Sequence, residues 1–216
     1  MIAAGRATVG PARTLRPLPV AVAAAVLAGV AVGVTLHRLH AEPPSVTPAL
    51  PELHGQAVWA PGERNPAAFT LPDQRGSLVS LATLRGRPVL LAFLGLRCRG
   101  CDAEAVRLAS VLRRLPAVDR PTLVVVSLDT RADARAAIDR AARRWGLAGA
   151  WRWHWLTAAP ARLAPVWRAF GVSEGSAERL RISLIDGRGD ERTAYLFPFM
   201  PAFVEGDLIR LAGEHA

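Results

Sequence analysis

The chain contains no lysine: all 27 of its basic residues are arginine. A lysine Schiff base and a P-loop lysine are thereby excluded. Cysteine is almost as scarce, with two in 216 residues. That rules out a disulfide-dense secreted scaffold and a four-cysteine zinc site. Charged residues make up 21% of the chain against 51% hydrophobic, too apolar a balance for a disordered protein. The length accommodates one domain with an appendage and hardly two full domains.

The formal net charge is +9. Arg6, Arg13, Arg16 and Arg38 fall in the first 40 residues, where there is no acid. The remaining arginines are interspersed with acids, and no basic run alternates with aromatics. A solvated surface is the preferred reading, and nucleic acid is not an expected partner.

Residues 18–36, LPVAVAAAVLAGVAVGVTL, carry no charge. As a helix they would span roughly 28 Å, close to the ~30 Å hydrocarbon core of a bilayer. Three arginines precede them, so residues 1–17 are expected in the cytoplasm and everything after the segment outside it. The competing reading is a cleaved signal peptide. The apolar run is longer than an ordinary signal core, and the small-residue cleavage candidate ending at Ala41 has Leu39 where a small residue belongs. A single-pass signal anchor in the cell membrane, with the C-terminal domain extracytoplasmic, is therefore expected. Residues 37–66 follow as a linker with prolines at 43, 44, 48, 51, 61 and 66, an extended composition. His37, His40 and His54 lie in it, and exposed linker residues are favoured over a metal site.

The folded domain is expected at 67–215. Phe69 and Leu71 alternate as a short strand, and Leu78 to Leu81 as another. Pro88 to Leu94 and Thr122 to Leu128 are continuous apolar runs, as in strands buried on both faces. Asp102 to Leu115 has helical spacing and stops at Pro116; Ala132 to Trp145 is a second helix. A short strand is predicted at Trp153 to Leu156 and a helix at Leu163 to Phe170. Arg181 to Ile185 and Arg192 to Phe197 form a hairpin around DGRGD, and Phe203 to Ala212 is a closing helix. This order predicts an α/β fold with a central mixed sheet.

Both cysteines fall in one motif, Cys98-Arg99-Gly100-Cys101, between a buried strand and a helix start. Unsatisfied backbone N–H groups and the helix dipole favour a thiolate there. Arg97 and Arg99 act in the same direction, whereas Asp102 opposes ionisation of Cys101. Cys98 is therefore expected to attack and Cys101 to resolve mixed disulfides. A bare structural bridge closes too short a loop to matter greatly, roughly 2 kcal/mol in the loop-entropy picture. Metal binding by the two thiolates stays open beside the redox reading. Asp129 ends the second buried strand; capping the following helix is preferred to relaying protons to Cys101. For the tryptophans Trp145, Trp151, Trp153, Trp155 and Trp167, and for the run from Tyr195 to Pro201, core packing is preferred to a partner surface.

The chain resembles the thioredoxin-like superfamily, and within it the SCO/SenC group of membrane-anchored copper and thiol proteins. The carrying residues are FTLPDQRG at 69–76, LRGRPVLLAF at 84–93 and the two cysteines. Further on come VVSLD at 125–129, WHWLT at 153–157, VWRAFGV at 166–172 and SLID at 183–186. The resemblance implies a thioredoxin-like three-layer fold preceded by one transmembrane helix. It implies a thiol–disulfide oxidoreductase acting through Cys98 and Cys101 on client thiols or disulfides outside the cytoplasm. The alternative it implies is a copper-binding assembly factor for a respiratory cytochrome oxidase, with Cys98 and Cys101 holding Cu(I). Three departures bear on the choice. SCO proteins space their cysteines CxxxC and add a distant His, whose position here is near Glu178. Thioredoxin-like reductases carry a cis-proline before the strand facing the motif, and residues 178–181 have none. A peroxidase of this superfamily has Thr three residues before its reactive cysteine, where this chain has Gly95.

Overall fold

The computed structural model describes residues 52–148, 152–172 and 180–214. Residues 51–216 form one compact unit. The segment 18–36, Trp151 and Glu178 lie outside the described residues. Among the described residues no helix is long and apolar enough to cross a membrane.

Among the described residues the fold has eight strands and four α-helices. In chain order they are β1 Ala57–Val58, β2 Thr70–Pro72, β3 Leu78–Ser80, β4 Val89–Leu94, α1 Cys101–Arg114, β5 Thr122–Ser127 and α2 Arg135–Trp145. Then follow β6 Trp153–Leu156, α3 Pro160–Ala169, β7 Arg181–Ile185, β8 Glu191–Leu196 and α4 Pro201–Gly213. Six strands form one sheet in the order β1-β8-β7-β4-β5-β6, and β2 and β3 form a separate hairpin. β4, β5 and β6 run parallel, while β7 is antiparallel to both β4 and β8. The central mixed sheet is thus a thioredoxin-like arrangement.

Every residue of β4 and β5 is buried. An apolar run without alternation can be satisfied only when both faces are covered, as they are here. α1 packs against α4 and α2. Trp167 of α3 donates its indole N–H to the Ser127 carbonyl at the end of β5, 2.9 Å away. Trp145 stacks on Trp155 at 5.9 Å, and both are buried.

Four boundaries differ from the pattern reading. α3 begins at Pro160, because proline at the first helical turn lacks only an N–H that would be unpaired there anyway. α2 begins at Arg135, since Thr130–Ala132 forms a separate 3-10 turn first. α4 starts at Pro201 for the same reason as α3. The largest difference lies before residue 67. β1 pairs with the edge of β8 through Ala57 opposite Ala194 and Val58 opposite Thr193. The backbone N–H and Nδ1 of His54 reach Asp207 of α4 at 2.8 and 2.7 Å, and the His54 ring stacks on Phe203. Residues 52–66 are therefore attached to the domain instead of forming an extended linker. His54 is exposed but engaged. Proline content sets local stiffness; it does not prevent a neighbouring two-residue strand from completing a sheet edge.

Candidate active site

Strand β4 ends at Leu94, and the chain then loops through Gly95–Gly100 to the start of α1 at Cys101. Gly100 caps the helix with φ +86°, a left-handed conformation that a side chain would strain. A Cβ there would have room, lying 3.9 Å from Leu180 and Phe197, so backbone handedness is what selects glycine.

Cys98 and Cys101 are joined by a disulfide with Cα atoms 5.5 Å apart. Cys101 is the first helical residue and is 1% exposed; Cys98 precedes the helix in the loop and is only half-buried. The backbone N–H of Gly95 donates to Cys101 Sγ at 3.1 Å. A sulfur released at position 101 would thus meet a donor in an otherwise apolar setting. A sulfur released at 98 would meet solvent and the helix N-terminus.

The charges around the pair are distributed differently from the expectation. Arg97 donates to Asp129 at 2.9 Å, so its charge is compensated. Asp129 makes no side-chain cap of the turn that follows it. Its side chain converges with Cys98 and Leu128 over Gly95. Asp129 is therefore the partner of Arg97 and not a helix cap. Arg99 is exposed and, among the described residues, is left without an ion pair beside Cys98. Asp102 points outward, accepting from Arg144 at 2.8 Å and from the indole N–H of Trp145 at 2.6 Å. The Arg144 bond, against a smaller opposing cost of burial, holds the Asp102 carboxyl below its ordinary range. Its charge is thus spent on Arg144.

Two contributions were not legible in the motif. Phe197 at the end of β8 and Leu180 before β7 flank Gly100, which places the far hairpin beside the cysteines. The Phe197–Pro198 peptide bond is cis. Tyr195 and Phe199 are core residues, while Leu196 and Met200 are exposed. The second is Glu104, one turn along α1 from Cys101 and 1% exposed. Neither carboxyl oxygen has a hydrogen-bond partner. Burial pushes this carboxyl up to about 8, against the opposing charge of Arg107. Arg107 itself lies over Phe197 and Phe199 at 5.7 and 5.9 Å. The only sequence signal for Glu104 was its place on the apolar face of an amphipathic helix, where a carboxylate is out of keeping.

Among the described residues no group of three or more His, Cys, Asp or Glu side chains converges as a metal site. His154 is held by Asp73 at 3.0 Å, and His54 by Asp207. The sulfurs of Cys98 and Cys101 suit soft Cu(I), and no imidazole in the described residues accompanies them as Cu(II) would require.

The family model described as AhpC/TSA family matches residues 61–150. No curated protein matches the chain. Among solved structures it is similar to BsSco, described as a member of the Sco family of cytochrome c oxidase assembly proteins and reported with a disulfide switch. The TM-score is 0.61 at 19% identity, covering 73% of this chain and 98% of that one. It is similar to Bradyrhizobium japonicum ScoI with copper bound, at TM-score 0.53 and 22% identity, covering 68% of this chain and 99% of that one. It is also similar to MTB dsbF in mixed oxidised and reduced forms, at TM-score 0.50 and 19% identity, covering 66% of this chain and 94% of that one. The chain carries a thioredoxin-like domain, and the solved structures that share its fold include members of the Sco family.

Proposed function

We propose that the protein is a membrane-anchored, extracytoplasmic thiol–disulfide oxidoreductase that works through Cys98 and Cys101. The observation that carries this reading is the asymmetry of the pair: one half-buried sulfur before a helix and one buried sulfur within it, joined by a disulfide. In the reductive direction, the Cys98 thiolate attacks one sulfur of a client disulfide and expels the other as a client thiolate. The Cys101 thiolate then attacks Cys98 Sγ and expels the second client thiolate. The client gains two electrons, and the Cys98–Cys101 disulfide forms. The oxidative direction is the reverse. Glu104, one turn along the helix from Cys101 and protonated near neutral pH, adds no negative charge that would oppose ionisation of the resolving sulfur.

The test uses the purified full chain, pre-reduced, with a disulfide-bonded client protein. One client disulfide should be lost for each Cys98–Cys101 disulfide formed, and neither single Cys→Ser variant should turn over. Absence of exchange with any protein disulfide would sink the reading. A reporter fused after Ala216 tests the location: it should be active only outside the cytoplasm.

A second reading is favoured by the copper-bound Sco relative. In it, Cu(I) is cargo held by the two reduced sulfurs and delivered to an oxidase. Stoichiometric Cu(I) binding together with a failure to exchange disulfides would favour it. Cu(II) should bind weakly in either case, because no third ligand converges with the sulfurs among the described residues.

A further inference from the structure

At the pole of the sheet opposite the cysteines lies a cavity of about 460 Å³ lined by Arg75, Arg85, Arg87, Arg152 and His154. Arg87 and Arg152 stand just before β4 and β6, at the N-terminal ends of strands whose other ends face the Cys98–Cys101 loop. Six residues of β4 separate the two poles by roughly 20 Å. The pocket is thus distinct from the thiol site.

Its charge is not neutralised from within. None of the four arginines makes an ion pair among the described residues, although arginines elsewhere in the fold, such as Arg64, Arg181 and Arg192, do. The carboxylate behind the pocket is Asp73, and it is already engaged. Its Oδ2 meets His154 Nδ1 at 3.0 Å, and its Oδ1 accepts the backbone N–H groups of Arg75 and Ser77, both at 2.9 Å. Burial works against ionisation of Asp73, yet these donors together hold it below the ordinary carboxylate range. Asp73 is therefore an ionised, buried support that orients His154; it does not itself line the cavity, where four arginines outnumber it. Four arginines lining one concavity concentrate positive charge there, which a multiply charged anion would neutralise. Planar guanidinium forks match phosphate oxygens in pairs, and the cavity volume is that of a small-molecule site.

We propose that this arginine pocket binds a phosphate monoester or diphosphate carrying two or more negative charges. Two sources share that chemistry: a soluble phosphate compound and the headgroup of an acidic phospholipid. The inference does not depend on the thiol reading.

The experiment titrates the full chain in detergent with inorganic pyrophosphate and, separately, with water-soluble dihexanoyl phosphatidic acid. The same titrations are made on Arg85→Ala/Arg152→Ala, whose changes are exposed and unpaired and should leave folding and thiol exchange intact. At least one probe should bind the unaltered chain, with affinity at least tenfold lower in the double variant and falling as salt rises. Binding of pyrophosphate marks a soluble ligand; binding of the short-chain lipid alone marks a headgroup. Binding of neither, or equal binding by both proteins, overturns the proposal. His154→Gln supplies a second variant. It should weaken binding while thermal unfolding and thiol exchange stay within the range of the unaltered protein. Unchanged binding in that variant as well as in the arginine variant overturns the site.

Discussion

The Gly95 backbone N–H donates to the sulfur of Cys101 at 3.1 Å, across the loop that carries Cys98. One end of β4 therefore holds the buried sulfur in place while the other sulfur belongs to the half-buried Cys98 of the loop. This division of roles sets the first expectation. Cys101→Ser should accumulate covalent complexes with client proteins, visible on non-reducing gels and released by reductant. Cys98→Ser should accumulate none. Equal trapping by both variants would show that the two sulfurs are interchangeable.

Arg99 and Asp129 should pull the reactivity of Cys98 in opposite directions. Arg97 is already paired with Asp129, so Arg99, which makes no ion pair among the described residues, supplies the positive charge. In the reduced Cys101→Ser background, Arg99→Glu should slow iodoacetamide alkylation at neutral pH about three- to tenfold, and Asp129→Asn should speed it by a similar factor. Both effects should shrink in high salt, since these groups are solvent-facing. Rates independent of both substitutions would remove electrostatics from the account of this thiol.

Glu104 should make the protein less stable as pH rises. Its carboxyl, ordinarily near 4.5, is pushed up to about 8 in the fold. Between those values the unfolded chain has lost this proton and the folded chain keeps it. Stability is therefore full below about pH 4.5 and falls with a slope of about 1.4 kcal/mol per pH unit until the folded carboxyl ionises. Urea unfolding of the full chain at pH 5 and pH 7 should differ by about 2–3 kcal/mol on this account. Glu104→Gln should largely abolish the difference. Persistence of the same slope in the variant would assign it to another group.

Asp207 should be a costly carboxylate to lose outside the thiol site. It is fully buried in α4 and receives the Tyr195 hydroxyl, the His54 backbone N–H and His54 Nδ1. Asp207→Ala leaves the first two donors without a partner and should destabilise by about 2–4 kcal/mol, read from the urea midpoint. Limited proteolysis should then cut residues 52–66 sooner, because Asp207 ties that segment to the domain. Tyr195→Phe removes one donor cleanly and should cost only about 1–2 kcal/mol. Equal costs for the two variants would contradict this picture of the network.

Local pattern determined much of the molecule. The continuous apolar runs of β4 and β5 required a sheet covered on both faces, and the i, i+3, i+4 spacing after Cys101 required a helix packed on it. Their junction placed both cysteines at a helix N-terminus, so the site residues themselves were legible. Tertiary structure decided which charges act on them. Whether Arg97 faces Cys98 or Asp129 depends on how the end of β5 meets the loop after β4, a contact between residues 32 positions apart. The burial of Glu104, the capture of residues 52–66 by β8 and Asp207, and the gathering of Arg75, Arg85, Arg87 and Arg152 around one cavity arise in the same way. Each joins segments with no shared periodicity. Sequence spacing specifies which face of an element turns inward, but only the packed sheet fixes which distant side chain it meets there.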